Sequence, residues 1–219
     1  TLLEPLECEW AKSIFPKLED LFGKERNAPN QSVRSRFFNQ KQKIHTKFLD
    51  KIKDYRVLDP ACGSGNFLYM ALKLLKDFEQ RVINEGASLN IQPSYIRVSP
   101  ENLLGIEKNS FASHLAGLSI WIGDIQWMTK NGYSINKNPI LEKLENIKCE
   151  DALLKVSGEE DEEREWPVAN VIIGNPPFAG DKKIKTQMGD AYVKRIYKVY
   201  KDKVEESADF SAYWVYKSL

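Results

Sequence analysis

The sequence predicts an α/β fold: a parallel sheet covered by helices on both faces, preceded by a helical N-terminal segment. Three observations carry this. The strand-like run Tyr55-Arg56-Val57-Leu58-Asp59 passes through Pro60 and a glycine turn into a helical pattern. A second buried-type strand, Leu103-Leu104-Gly105-Ile106-Glu107, ends in an acid and precedes another helical run. The stretch from Val168 to Ile173 is the most apolar strand of the chain. Strand and helix in this alternation favour parallel pairing, because each return crossover is long enough to be a helix.

Residues 1–54 read as the helical N-terminal segment. Leu6, Trp10, Ile14 and Leu18 recur at four-residue steps and share one helix face, although Pro16 interrupts that helix's donors. Asn27-Ala28-Pro29-Asn30 is a loop. A second helix follows from about Ser32 to Lys53. Between Lys24 and Arg56 ten basic residues stand against three acidic ones, which is either a solvated helix face or a phosphate-facing surface. Residues 55–219 form the remainder. A helix is expected from about Asn66 to Glu85, with Phe67, Met70, Leu74, Leu75 and Phe78 on its apolar side. The run from Ser110 to Met128 is apolar on nearly all sides and predicts a well-buried helix. Ile147-Lys148-Cys149 is a brief third strand, and the acidic run from Gly158 to Glu165 a solvated loop.

Composition narrows the function. The chain has 219 residues, 42% hydrophobic and 29% charged, a globular balance. No apolar run approaches the ~20 residues of a membrane helix, and no signal-peptide pattern opens the chain at Thr1. A soluble, cytoplasmic protein without a membrane partner is expected. Thirty-two basic against 31 acidic residues argue against a histone-like general binder of nucleic acid. Cys8, Cys62 and Cys149 are isolated, so neither a zinc site nor a disulfide framework is suggested, and no metal is expected. His45 and His114 stand alone and read as structural.

Two motifs carry chemistry. In Asp59-Pro60-Ala61-Cys62-Gly63-Ser64-Gly65-Asn66-Phe67, Gly63 and Gly65 can take backbone angles closed to other residues and leave room for a ligand. Asp59 ends a strand beside a helix N-terminus, where it can accept hydrogen bonds from ammonium or hydroxyl groups. No Gly-Lys-Ser/Thr is present, so this is not a triphosphate-binding loop. The second motif, Asn175-Pro176-Pro177-Phe178, lies 116 residues beyond Asp59 and follows the apolar strand. Asn175 offers a side-chain carbonyl oxygen and Pro176 a main-chain one. Neither proline has an N–H to compete, and each stiffens the loop. Such an acceptor-rich cradle suits an exocyclic amino group and disfavours a keto oxygen. Phe178 offers a stacking face for an unstacked base. Cytosine C5 chemistry would need a cysteine nucleophile in a Pro-Cys context, and none of the three cysteines has one.

The two motifs together resemble those of S-adenosylmethionine-dependent DNA amino-methyltransferases of the gamma order, with the cofactor motif before the catalytic one. With Ala208-Asp209-Phe210-Ser211-Ala212-Tyr213-Trp214 they are similar to the methylase part of large single-chain type IIG/IIL restriction–modification enzymes. The resemblance spans roughly residues 55–178 and implies a Rossmann-like class I methyltransferase sheet. It implies that Asp59 approaches the methionine end of S-adenosyl-L-methionine and that Ala61 to Gly65 wall the pocket. It also implies that Glu107, with Lys108 beside it, binds the ribose hydroxyls, and that Asp151, with Ala152, receives the adenine amino group of the cofactor. Asn175 in first place favours adenine N6 as the methylated atom.

The implied partner is double-stranded DNA with a flipped adenine, with a nuclease before this segment and a target-recognition domain after it in the same parent chain. The motif that usually precedes the cofactor turn is not visible, and the last strands of a seven-stranded sheet are missing. The expectation is therefore a truncated core with four strands. Two other readings stay open: an amino-methyltransferase of RNA or of protein glutamine, and a non-catalytic cofactor- or DNA-binding fragment. Between residues 181 and 203, eight basic residues against three acidic ones could approach DNA phosphates or form a solvated surface.

Overall fold

A computed structural model of the chain describes residues 2–134, 144–157, 160–178, 186 and 188–219. They divide into two compact units. One takes residues 1–55, 70–102 and 123–135, the other 56–69, 103–122 and 136–219.

The first unit opens with α1 (Glu4–Glu9), a π-helical turn (Trp10–Ile14), α2 (Phe15–Arg26) and α3 (Gln31–Lys53). Pro16 explains the π turn. It cannot donate within the helix, and the Phe15 N–H reaches back five residues to the Trp10 carbonyl. Leu6, Trp10 and Leu18 of the predicted face are buried. Asn30 caps α3 by accepting from the Val33 N–H at 3.0 Å. Trp10 packs on Phe48 at 5.0 Å between ring centroids. Lys41, in the basic stretch, is fully buried and pairs with Glu25 at 2.6 Å, so it is no phosphate ligand. His45 is buried, with Nε2 3.1 Å from the Val82 carbonyl, and burial holds its pKa below the usual imidazole value.

The second unit holds a sheet. Among the described residues its strands are β1 (Val57–Asp59), β2 (Leu103–Glu107), β3 (Ile147–Cys149) and β6 (Val171–Ile172), all parallel, in the order β3-β2-β1-β6. An antiparallel hairpin of β4 (Leu154–Ser157) and β5 (Glu160–Glu163) stands apart from it. Helices α4 (Asn66–Ser88) and α5 (Ser110–Lys130) follow β1 and β2, and α6 (Asp190–Val199) and α7 (Ala212–Lys217) follow β6. Leu58, Ile106 and Leu153 pack with Val193, Ile196, Tyr200, Phe210 and Tyr213 in one core. The succession β1, β2, β3 steps outward on one side of β1, while β6 lies on its other side. A change of direction of this kind opens a crevice at the carboxyl ends of β1 and β6.

Four expectations need correcting. The apolar face of α4 is displaced: Phe67, Met70 and Leu74 are exposed, and the buried stripe is Leu68, Ala71, Leu72, Leu75, Phe78 and Val82. Apolar residues on both faces made the sequence pattern ambiguous. Helix α5 is not well buried. Ala116 and Ile120 are inside, whereas Phe111, Leu115, Leu118 and Ile122 are exposed, Phe111 at 79%. The acidic run is not all loop, since Glu160–Glu163 pairs as β5 with β4. Its carboxylates meet basic side chains from distant parts of the chain, a tertiary effect that periodicity does not register. Gly158 lies outside the described residues. Lastly, the apolar strand is short: only Val171 and Ile172 pair, Val168 is exposed, and β1 is the fully buried strand.

Candidate active site

The glycine turn is held by backbone bonds. The Cys62 N–H donates to the Ile106 carbonyl of β2 at 3.1 Å, and Gly65 N–H closes on the Cys62 carbonyl at 2.8 Å. Gly63 and Gly65 both have positive φ, +53° and +84°. At Gly65 a Cβ would stand 3.0 Å from the Ala116 Cα of α5, so glycine is required there for space as well as for angle. Glu107, at the end of β2, fixes the turn from the other side. Its Oε2 accepts from the Gly63 N–H at 2.9 Å and its Oε1 from the Asn109 N–H at 2.7 Å. Each oxygen keeps a lone pair, so the carboxylate can still accept from two neighbouring hydroxyls.

Asp59 is fully buried at the end of β1. Its Oδ1 accepts from the Ala61 N–H at 3.0 Å. Its Oδ2 is buried and has no hydrogen-bond partner among the described residues. Gly174, just past β6, comes so close that a Cβ would lie 2.7 Å from Asp59 Oδ1. Burial, with a smaller contribution from the Glu107 charge, pushes the Asp59 carboxyl from its ordinary 3.8 up to about 6. The native carboxyl therefore keeps its proton after the unfolded one has lost it. The stability it contributes is complete below pH 3.8 and is lost as pH rises through about 6. Asp59→Asn should flatten that part of the profile, which urea unfolding at pH 4, 5 and 7 will measure. An unaltered slope would mean that Asp59 is not the titrating group.

Burial also pushes the Cys62 thiol up to about 12, with Asp59 and Glu107 adding to it, so Cys62 stays a neutral, buried filler and not a nucleophile. Asp151 follows β3. Its Oδ1 accepts from the Leu153 and Leu154 N–H groups at 2.9 and 3.0 Å. Its Oδ2 accepts from the Tyr192 hydroxyl at 2.8 Å and meets the Lys108 ammonium at 2.9 Å. Burial pushes this carboxyl up, but the Lys108 ammonium and the other donors outweigh it and hold the pKa below the usual range.

These elements share a cavity of about 330 Å³. Pro60 and Ala61 of the turn, Glu107, Lys108, Asp151 and Ala152 line it, and so do Asn175 and Pro177. Pro176 and Asp59 line an adjoining cavity of about 280 Å³, with Gly174 and Trp214. Of the turn residues expected to wall the pocket only Ala61 does so: Cys62, Gly63, Ser64, Gly65, Asn66 and Phe67 line neither cavity, and Phe178 stands clear, 67% exposed. Five lining residues are not among the sequence-predicted site residues: Ile106, Glu150, Met188, Tyr192 and Trp214. Trp214 is buried, and its indole N–H donates to the Pro60 carbonyl at 3.4 Å. It falls within the downstream stretch that carried the resemblance, which was its available signal. Tyr192 had none.

The basic stretch after the tetrapeptide is only partly open to an outside anion. Arg195 forks onto Asp161 at 2.5 and 2.6 Å, Lys203 pairs with Glu163 at 2.7 Å, and Lys198 reaches Glu160 at 3.7 Å. Lys182, Lys183 and Lys185 lie outside the described residues.

Residues 35–219 match the family model described as MmeI, DNA-methyltransferase domain. The chain belongs to the MmeI DNA-methyltransferase domain family. It is 32% identical over 159 residues to DNA methyltransferase A of Bacillus subtilis (strain 168), which covers 64% of this chain and 18% of that protein. It is 30% identical over 135 residues to a Methanocaldococcus jannaschii protein assigned as a type II restriction enzyme and methyltransferase, covering 57% of this chain and 11% of that one. A solved structure of the type IIL restriction-modification enzyme MmeI in complex with DNA matches with a TM-score of 0.60 at 20% identity. That match covers 93% of this chain and 26% of the other, and it shows the fold. The mixed α/β architecture with its parallel sheet and helical N-terminus is that of the MmeI methyltransferase region. The chain spans less than a fifth of the curated relatives it matches. Among the described residues no helix is long and apolar enough to cross a membrane.

Proposed function

We propose that this segment transfers a methyl group from S-adenosyl-L-methionine to the N6 amino group of adenine in DNA, as the methylating part of a restriction–modification enzyme. The observation that carries the reading is the shared cavity. Asn175 and Pro177 of the tetrapeptide line it together with Pro60 and Ala61 of the glycine turn and the acids Glu107 and Asp151. A sulfonium donor and an amino acceptor need adjoining places, and this arrangement supplies both.

The donor set fits the cofactor. Asp59 Oδ2 is a buried acceptor without a partner among the described residues, suited to the ammonium of the methionine end. Glu107 has spare lone pairs for a ribose diol, and Asp151 stands where a purine edge could lie, its oxygens held in the free protein by Leu153, Leu154, Tyr192 and Lys108. Bound S-adenosylmethionine supplies an electrophilic methyl group. The protein's own residues do the rest. Asn175 Oδ1 and the Pro176 carbonyl accept from the two N–H bonds of an adenine amino group. That draws the nitrogen toward tetrahedral geometry and frees its lone pair. The exposed Phe178 ring stacks on a base taken out of the duplex. Positioning and fixed dipoles suffice, and no covalent enzyme intermediate is required. Double-stranded DNA with an extruded adenine is thus the partner we assign, alongside cleavage and recognition domains of a longer chain.

The test is methylation of DNA by the full-length protein with isotopically labelled cofactor, followed by digestion to nucleosides. Label in N6-methyl-2′-deoxyadenosine from the DNA is expected. Label in RNA or in protein glutamine, with none in DNA, would replace this reading with one of the other amino-methyltransferases.

A further inference from the structure

Asp151 has no spare acceptor capacity. A carboxylate offers about four lone-pair positions, and four donors reach this one: Leu153 and Leu154 N–H on Oδ1, and the Tyr192 hydroxyl and the Lys108 ammonium on Oδ2. The two side-chain donors also hold each other, because the Lys108 ammonium lies 3.8 Å from the centroid of the Tyr192 ring. Both residues line the 330 Å³ cavity. A purine amino group can therefore reach Asp151 only by taking the place of one of them. The main-chain donors belong to the turn into β4 and are fixed. The exchange falls on the side chains.

We propose that Tyr192 is a latch on Asp151: its hydroxyl holds the acceptor position that the cofactor's adenine amino group takes, so it sets how tightly adenine-bearing ligands bind. This rests on the reading of Asp151 as the adenine acceptor. Tyr192 acts through Asp151 and is a positioning and specificity residue, not a catalytic one. Its phenol has no other hydrogen-bond partner described, and α6 carries it to the site from 41 residues away. Removing the hydroxyl while keeping the ring leaves the Lys108 contact in place and frees one lone pair of Oδ2. Ligands with an amino group at the purine 6-position should gain, and ligands with hydrogen there should not.

The experiment titrates the full chain with adenosine and with purine riboside, which differ only in that amino group, and follows binding by NMR. In the unsubstituted chain adenosine should bind more tightly. In Tyr192→Phe the adenosine affinity should rise about tenfold with purine riboside unchanged. Tyr192→Leu removes the same hydroxyl by a second route and should move the ratio in the same direction, with thermal unfolding reporting folding separately. If adenosine is preferred but the preference is the same in both variants, the latch is wrong and the acceptor reading stands. If neither the unsubstituted chain nor either variant shows a preference, Asp151 does not read the amino group, and the latch falls with it.

Discussion

Replacing Asn175 by alanine should lower methyl transfer by the full-length protein by about 10²–10³-fold, the usual cost of removing one fixed hydrogen-bonding group from a transition state. Asn175 is exposed, so its loss should leave stability within about 0.5 kcal/mol. It lines the cavity beside the acids Glu107 and Asp151 without being one of the groups assigned to the cofactor, and cofactor affinity should therefore change little. The decisive pattern is a collapse of kcat at nearly constant cofactor binding, read from single-turnover transfer and from calorimetry on the same preparation. A variant that methylates at the original rate would show that the nitrogen is activated elsewhere. A variant that loses cofactor binding instead would place Asn175 in the wrong half of the site.

Gly65→Ala should be the most damaging single methyl addition in the cofactor turn. The residue holds φ at +84°, which costs an L-residue about 1–2 kcal/mol. The new Cβ would also sit 3.0 Å from the Cα and 3.1 Å from the carbonyl oxygen of Ala116. Those are backbone atoms of α5, and they cannot rotate away. A destabilisation of about 2–4 kcal/mol is expected, with loss of cofactor binding as the turn shifts. Gly63→Ala is the control. Its φ of +53° carries the conformational cost, but nothing lies within 4 Å of its Cβ, so its loss should be about 1 kcal/mol. Denaturant midpoints of the two variants measure the difference. Equal values would mean that α5 is not in contact with the turn.

The glycine turn was legible because its causes are local. A strand that ends in Asp59 and must reverse within a few residues has to use glycine, and Gly63 and Gly65 have the positive φ that this demands. Strand β2 was legible to the residue for the same kind of reason: Leu103 to Glu107 is a short apolar run closed by an acid. The hairpin was not. Glu160 to Glu163 has no apolar alternation, and its order comes from pairing with β4 and from Arg195, Lys198, Lys203 and Lys217, which are far away in the chain. The faces of α4 and α5 are ambiguous in the sequence because apolar residues occur on both sides of each, and only packing decides which side is covered. Tyr192 was invisible for a further reason. Its chemistry is a meeting with Asp151 that no spacing encodes.

Strand β1 pairs with β6 through Val57–Val171 and Leu58–Ile172, and Gly174 closes on Asp59 only once that pairing exists. The two partners leave the ribosome more than a hundred residues apart. At about 5–20 residues per second the first waits on the order of ten seconds for the second. During synthesis the nascent chain therefore carries Asp59, Glu107 and the glycine turn without their β6 wall, with the edge of β1 open to misdirected partners. Completion of the crevice waits on translation of the segment around residue 172.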